Sequence, residues 1–222
     1  MVDIALIQKH INKGYSKVGV VLGDEYAWYR PTNPLSPIGP ASQQGSMLAQ
    51  FAPDAQFNYY RPPDFPTAER WYGAFQEQSI VLAGDYFVGL KGTFYITYFG
   101  RISALQCIWC NRTVSVGRAL GTLATGASSL YGGESVVDTE TILEGWPASV
   151  RQLGSVMKMR GAEMKLPSDA PLGAYGIYLP NLPGTPIQWN DIVQDDTGRR
   201  YVISTLELTE LGWRISAEMW PT

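Results

Sequence analysis

Two cysteines stand three residues apart in Cys107-Ile108-Trp109-Cys110, the spacing of redox-active and zinc-binding thiols. In a redox pair the motif opens a helix, whose N-terminal dipole lowers the pKa of the first thiol. Here the next residues, Asn111-Arg-Thr-Val-Ser-Val116, read as strand, so that helix is missing. A zinc site needs four ligands, and neither a second such pair nor a downstream histidine exists. The motif therefore reads as structural cysteines near a strand start, with a metal site shared between subunits as the alternative. The chain holds one histidine, His10, so a Ser-His-Asp triad or a Cys-His dyad would have to use it. It falls in a helical pattern with Ile4, Ile7 and Ile11 and reads as a surface or helix-end residue.

Paired carboxylates perform glycoside hydrolysis without histidine. The candidates are Glu134, Asp138, Glu140 and Glu144, or Asp191, Asp195 and Asp196. The second set lies in turn chemistry that already accounts for it, and the first in a Gly-flanked segment where solvated acids are expected. The run from Gly117 to Gly133 carries five glycines but no Gly-Lys-Ser/Thr ending, so it does not read as a phosphate cradle. Seven tryptophans would suit a sugar-stacking platform, yet most are flanked by apolar strand residues and read as core or interface. The expectation is no catalytic residue, no cofactor and no metal.

The elements that hold these residues are short and turn-punctuated. Of 222 residues, 45% are apolar and 17% charged, a balance that builds a core rather than a disordered chain. Glycine and proline, 23 and 15 in number, point to turns rather than long helices. A net charge of -3 argues against nucleic acid as a specific partner. No apolar run reaches the roughly 18 residues of a membrane span, and the first residues lack a secretory pattern. The chain is accordingly expected to fold in a cytoplasm with no membrane partner. Residues 1–118 hold 10 basic and 8 acidic side chains, against 7 and 12 in residues 119–222, a modest polarity.

Residues 3–13 read as an amphipathic helix capped by Asp3 and ended by Gly14. Residues 18–22 and 26–30 read as a hairpin around Gly23-Asp24-Glu25, completing an N-terminal helix and hairpin over 1–30. Residues 31–78 read as a Pro- and aromatic-rich arm, with eight prolines between positions 31 and 66. Its rings, Phe51, Phe57, Tyr59, Tyr60 and Phe65, together with Trp71, are the interface candidates, packing on an adjacent subunit, with the arm folding back to cap an edge of its own sheet as the alternative. Residues 79–222 read as an antiparallel β domain that forms one domain with residues 1–30. Within it, Thr93-Phe-Tyr-Ile-Thr-Tyr-Phe99 is covered on both faces, Val114 and Val116 alternate with polar neighbours, and residues 186–194, 199–208 and 213–219 form a meander. No repeat of fixed period is evident. The fold expected is mainly β, an antiparallel sandwich or barrel with a short N-terminal helix and a long Pro-rich arm.

Three stretches, read together, carry a resemblance. Gly84-Asp-Tyr-Phe-Val-Gly-Leu-Lys-Gly-Thr-Phe-Tyr-Ile-Thr97 with Cys107-Ile-Trp-Cys-Asn-Arg-Thr-Val-Ser-Val116, and Leu143-Glu-Gly-Trp-Pro-Ala-Ser-Val150, resemble segments of tailed-bacteriophage structural proteins. Asn190-Asp-Ile-Val-Gln-Asp-Asp-Thr-Gly-Arg-Arg-Tyr-Val-Ile203 through Leu211-Gly-Trp-Arg-Ile-Ser216 is similar to the β-meander of phage head–tail connector proteins. The N-terminal helix and the Pro-rich arm lie outside the resemblance. It implies a non-enzymatic neck subunit (adaptor, stopper or collar) of the virion, assembled in the host cytoplasm. Its implied partners are its own copies in a ring and portal, adaptor or tail subunits. The alternative carried by the Trp and Tyr content is a tail-associated carbohydrate- or receptor-binding β domain.

Overall fold

The computed structural model describes residues 4–54, 70–98, 105–119, 139–153, 174–181, 187–209 and 211–220. Among the described residues, one helix, α1 (Ile4–Leu22), precedes twelve strands: β1 (Asp24–Tyr29), β2 (Gln43–Ala52), β3 (Arg70–Phe75), β4 (Tyr86–Gly89), β5 (Gly92–Tyr98) and β6 (Leu105–Cys110), then β7 (Arg112–Ala119), β8 (Thr139–Gln152), β9 (Ala174–Leu179), β10 (Ile192–Asp195), β11 (Arg200–Thr209) and β12 (Gly212–Met219). The fold is mainly β, and every strand pairing is antiparallel. The strands close into two six-stranded barrels, ordered β1-β2-β3-β6-β5-β4 and β10-β11-β12-β9-β8-β7. Closure removes the exposed edges that an open sheet would present.

Numbered within its own barrel, each strand has the same neighbours in both, so the second barrel repeats the topology of the first. The repetition extends to side chains. Arg30, just past β1, reaches Asp85, just before β4: Nε donates to Oδ1 and Nη2 to Oδ2, both at 2.8 Å. Arg118 at the end of β7 grips Asp191, just before β10, through the same two atoms at 2.9 Å. The second carboxylate oxygen caps its own turn, accepting from Leu82 N at 2.8 Å in one barrel and Gln188 N at 2.7 Å in the other. The residue before each aspartate is left-handed, Gly84 with φ 90° and Asn190 with φ 65°. A bulge follows in each fifth strand, between Ile96 and Tyr98 and between Ile203 and Thr205. The chain is thus an internal duplication.

The first barrel packs its interior with rings. Phe51 stacks on Phe94 at 4.0 Å between centroids and meets Tyr26 and Phe75 edge-on. Alternation along the strands then sends the neighbouring side chains outward. Phe87, Phe94 and Cys107 belong to the first core, whereas Tyr86, Tyr95 and Ile108 join the core of the second barrel. Only Asn111 separates β6 from β7, and it clamps the joint, with Nδ2 donating to Val150 O and Oδ1 accepting from Val150 N, both at 2.8 Å.

Three expectations are corrected. Residues 18–22 are helix, because α1 continues to Leu22 and lays Tyr15 and Val18 on Ala52 and Ala74. A Cβ on Gly19 would come within 2.7 Å of the Phe75 backbone, so only glycine permits this approach. Residues 43–52 are not arm but barrel strand β2. The strands group as 24–110 and 112–219 rather than as one β domain over 79–222. The proline-rich connection before β2 folds onto the same chain, where Pro34 O accepts from Trp146 Nε1 at 2.6 Å and from Glu144 N at 3.1 Å. The C-terminal meander and the covered strand at 93–98 stand as expected, with β10 shorter.

Both aspartate side chains are buried, to 1% and 2% exposure, with the arginines a quarter to a third exposed. Removing one arginine strands a buried carboxylate, which costs several kcal/mol, whereas removing both charges together costs much less. Arg30→Ala should therefore lose on the order of 3 kcal/mol in urea unfolding, and Arg30→Met with Asp85→Leu distinctly less. Equal losses in the single and the double variant would contradict this.

Candidate interaction surface

Of the interface candidates, Phe51 is 7% exposed inside the first barrel, so it is a core residue and not a docking ring. Its place in β2 opposite Gly73 of β3 fixes the inward direction. Trp71 on β3 is half-buried and packs on Phe94 at 5.5 Å. Phe57, Tyr59, Tyr60 and Phe65 lie outside the described residues, as do Glu134 and Asp138.

The chemistry-bearing residues have structural partners. Cys107 and Cys110 lie on strand β6, both buried and free, with Cys107 in the first core and Cys110 in the second. Burial pushes both thiols well above the ordinary range. His10 is exposed on α1. Asp191 is committed to Arg118, and Asp196 pairs with Arg112 at 3.7 Å. Asp195 organises the β10–β11 turn, accepting from Thr197 N, Thr197 Oγ1, Arg199 N and the Tyr201 hydroxyl. Burial opposes its charge, but these hydrogen bonds prevail and hold its carboxyl below the ordinary value. No group of three or more potential metal ligands occurs among the described residues. Where the barrels meet, Arg30, Leu82, Trp146 and Pro180 line a cleft of about 90 Å³, room for a few waters.

The prominent surface feature is one that sequence reasoning missed. Among the exposed large apolar side chains are Val20, Val21 and Leu22 at the end of α1, Trp189 at 64% and Trp220 at 51%. Trp189 precedes the left-handed Asn190, and Trp220 follows β12 with its N–H on Arg200 O at 2.8 Å. The duplication gives these positions meaning. In the first barrel, Tyr29, Tyr86, Tyr95 and Ile108 form one row across four strands. That row lies against the second barrel: the Tyr86 hydroxyl donates to Pro147 O at 2.8 Å, and the ring stands 6.1 Å from Trp146. The matching row of the second barrel is Gly117, Ile192, Val202 and Glu218. Register places Trp220 where Cys110 stands, and Trp189 where Ala83 stands. Here Ile192 and Val202 are half-buried, and Glu218 and both tryptophans are exposed. The signal was present in the Trp-Asn-Asp sequence of the turn, but only the registered duplication shows which face it marks.

Compared with protein-family models, with curated proteins and with solved structures, the chain matches none at significance.

Two outcomes test this account of the buried groups. A chromogenic disulfide reagent should leave both thiols untouched in the native protein and titrate two on denaturation; rapid native reaction would contradict it. Burial pushes the Tyr201 phenol up to about 12, helped by Asp195, and burial with nearby Asp24 does the same to Tyr26. The unfolded chain releases these protons near the ordinary 10.0, so their stabilisation is complete below that value and drains as pH rises toward about 12. Tm followed across this window should fall steadily, and a flat profile would contradict the burial.

Proposed function

We propose that the chain is a non-enzymatic structural subunit of a tailed-phage head–tail junction, a neck, collar or adaptor protein that assembles as a ring in the virion. The observation that carries this reading is where the phage-like segments fall. Residues 84–97 and 107–116 run through β4, β5, β6 and into β7, and residues 190–203 and 211–216 run through β10, β11 and β12. Residues 143–150 lie on β8, so the resembling segments reach both barrels. A body that transmits load through a neck benefits from closed sheets, a clamped joint and internally paired charges, all of which are present. Portal, adaptor or tail subunits are the neighbours such a role requires.

The rival reading, a tail-associated carbohydrate- or receptor-binding domain, is favoured by exposed Trp189 and Trp220, since aromatic faces suit pyranose rings. Mass spectrometry of purified virions tests the first reading: the protein should be present in several copies per particle, and its absence would overturn the proposal. A glycan array separates the two, with a blank array expected of a neck subunit and a specific glycan supporting the rival.

A further inference from the structure

The two barrels share one architecture yet differ in what covers them. The outer row of the first barrel, Tyr86, Tyr95 and Ile108, is buried against β8 of the second barrel. In the equivalent row of the second barrel, Ile192 and Val202 are half-buried and Glu218 is exposed, and two exposed tryptophans flank the row. Exposed apolar surface of this kind, rimmed by polar residues, marks an interaction site. The internal joint also shows what such a row packs on: the outside of the second strand of a barrel, at Pro147 of β8. In the first barrel, Leu48 of β2 holds the register position of Pro147, since Leu48 pairs with Glu25 and Pro147 with Thr113 at matching places. That strand is flanked by the end of α1, with Gly23 against the Ala49 backbone, and there Val20, Val21 and Leu22 are exposed. One chain therefore carries exposed apolar side chains at positions that correspond to the two sides of the internal joint, although Ile192 stands for Tyr86, Glu218 for Ile108, and Leu48 O already accepts from Gln76 N at 2.9 Å.

We infer that the β10–β11–β12 face of one copy, with Trp189 and Trp220, docks on the α1 end and β2 of the first barrel of a second copy. This head-to-tail self-assembly continues from chain to chain the barrel-to-barrel contact within each chain. It rests on the proposed structural role and names the partner surface for it. The contact is heterologous, because one patch meets a different patch, so it generates a ring where the rotation closes. The α1 end replaces part of the surface that β8 offers internally, so the second joint is related to the first but not identical. The apolar side chains supply the burial, and the tryptophans supply large, rigid contact area.

Three full-length proteins test it by native mass spectrometry and sedimentation: the wild type, W189D with W220D, and V21D. All substituted positions are exposed, and circular dichroism and Tm should match the wild type. The wild type should form multimers at micromolar concentration, and each variant alone should be monomeric. A mixture of the two variants should give a one-to-one pair and stop there, because each retains the half that the other has lost. A monomeric wild type, multimers persisting in either variant, or a mixture that does not pair would overturn the inference, including the case in which the face serves only another protein. If a variant melts early, W189Q with W220Q or V21S replaces it and must give the same loss of multimers. Presence in virions with a monomeric wild type would overturn this interface and leave the proposed role; head-to-tail multimers absent from virions would do the reverse.

Discussion

Each barrel closes where its first strand meets its fourth, and a buried carboxylate stands at that seam. Asp85 and Asp191 sit immediately before β4 and β10, and each is held by an arginine at the end of the strand it must join. An uncompensated carboxylate in such a position is costly, so the seam, the preceding turn and the arginine have to form together. The left-handed residue ahead of each aspartate turns the chain so that its own backbone N–H groups also reach the carboxylate. In the first barrel the Trp28 indole adds a further donor at 2.9 Å. Closed sheets, inward rings and outward rows all follow once this seam is fixed.

The same seam built twice gives the chain two similar barrels with different surroundings. The first turns its outer aromatic row into the core of the second, and the single-residue connection at Asn111 leaves little freedom at the joint. In the matching row of the second barrel, Ile192 and Val202 are only half-buried and Glu218 is exposed. That asymmetry distinguishes two barrels of one topology. It places exposed tryptophans at one end and an exposed helix end at the other.

Period-two patterning made the meander at 192–219 and the strand around 112–118 legible, because burial of alternate residues writes itself into residue type, and an unbroken β-branched and aromatic run did so at 93–98. The run Val18 to Leu22 has strand character because Val18, Val20 and Val21 are β-branched, but packing of Val18 and Gly19 on the first barrel holds it helical. Strand β2 was hidden by the prolines on either side and by the polar start Gln43-Gln44-Gly45. Phe51, taken for a docking ring, belongs to the core that this strand lines. The duplication escaped notice because Arg30 and Asp85 are 55 residues apart, whereas Arg118 and Asp191 are 73 apart. Unequal loops erase a fixed period while leaving topology and register intact.

An electron cryomicroscopy map of the assembled protein reads how copies meet without perturbing the contact. The account predicts barrels following one another around the assembly, with Trp189 and Trp220 of one copy against the α1 end of the next, and the internal barrel-to-barrel joint unchanged. A map in which the β10–β11–β12 face points to solvent, or meets the same face of another copy, would contradict it.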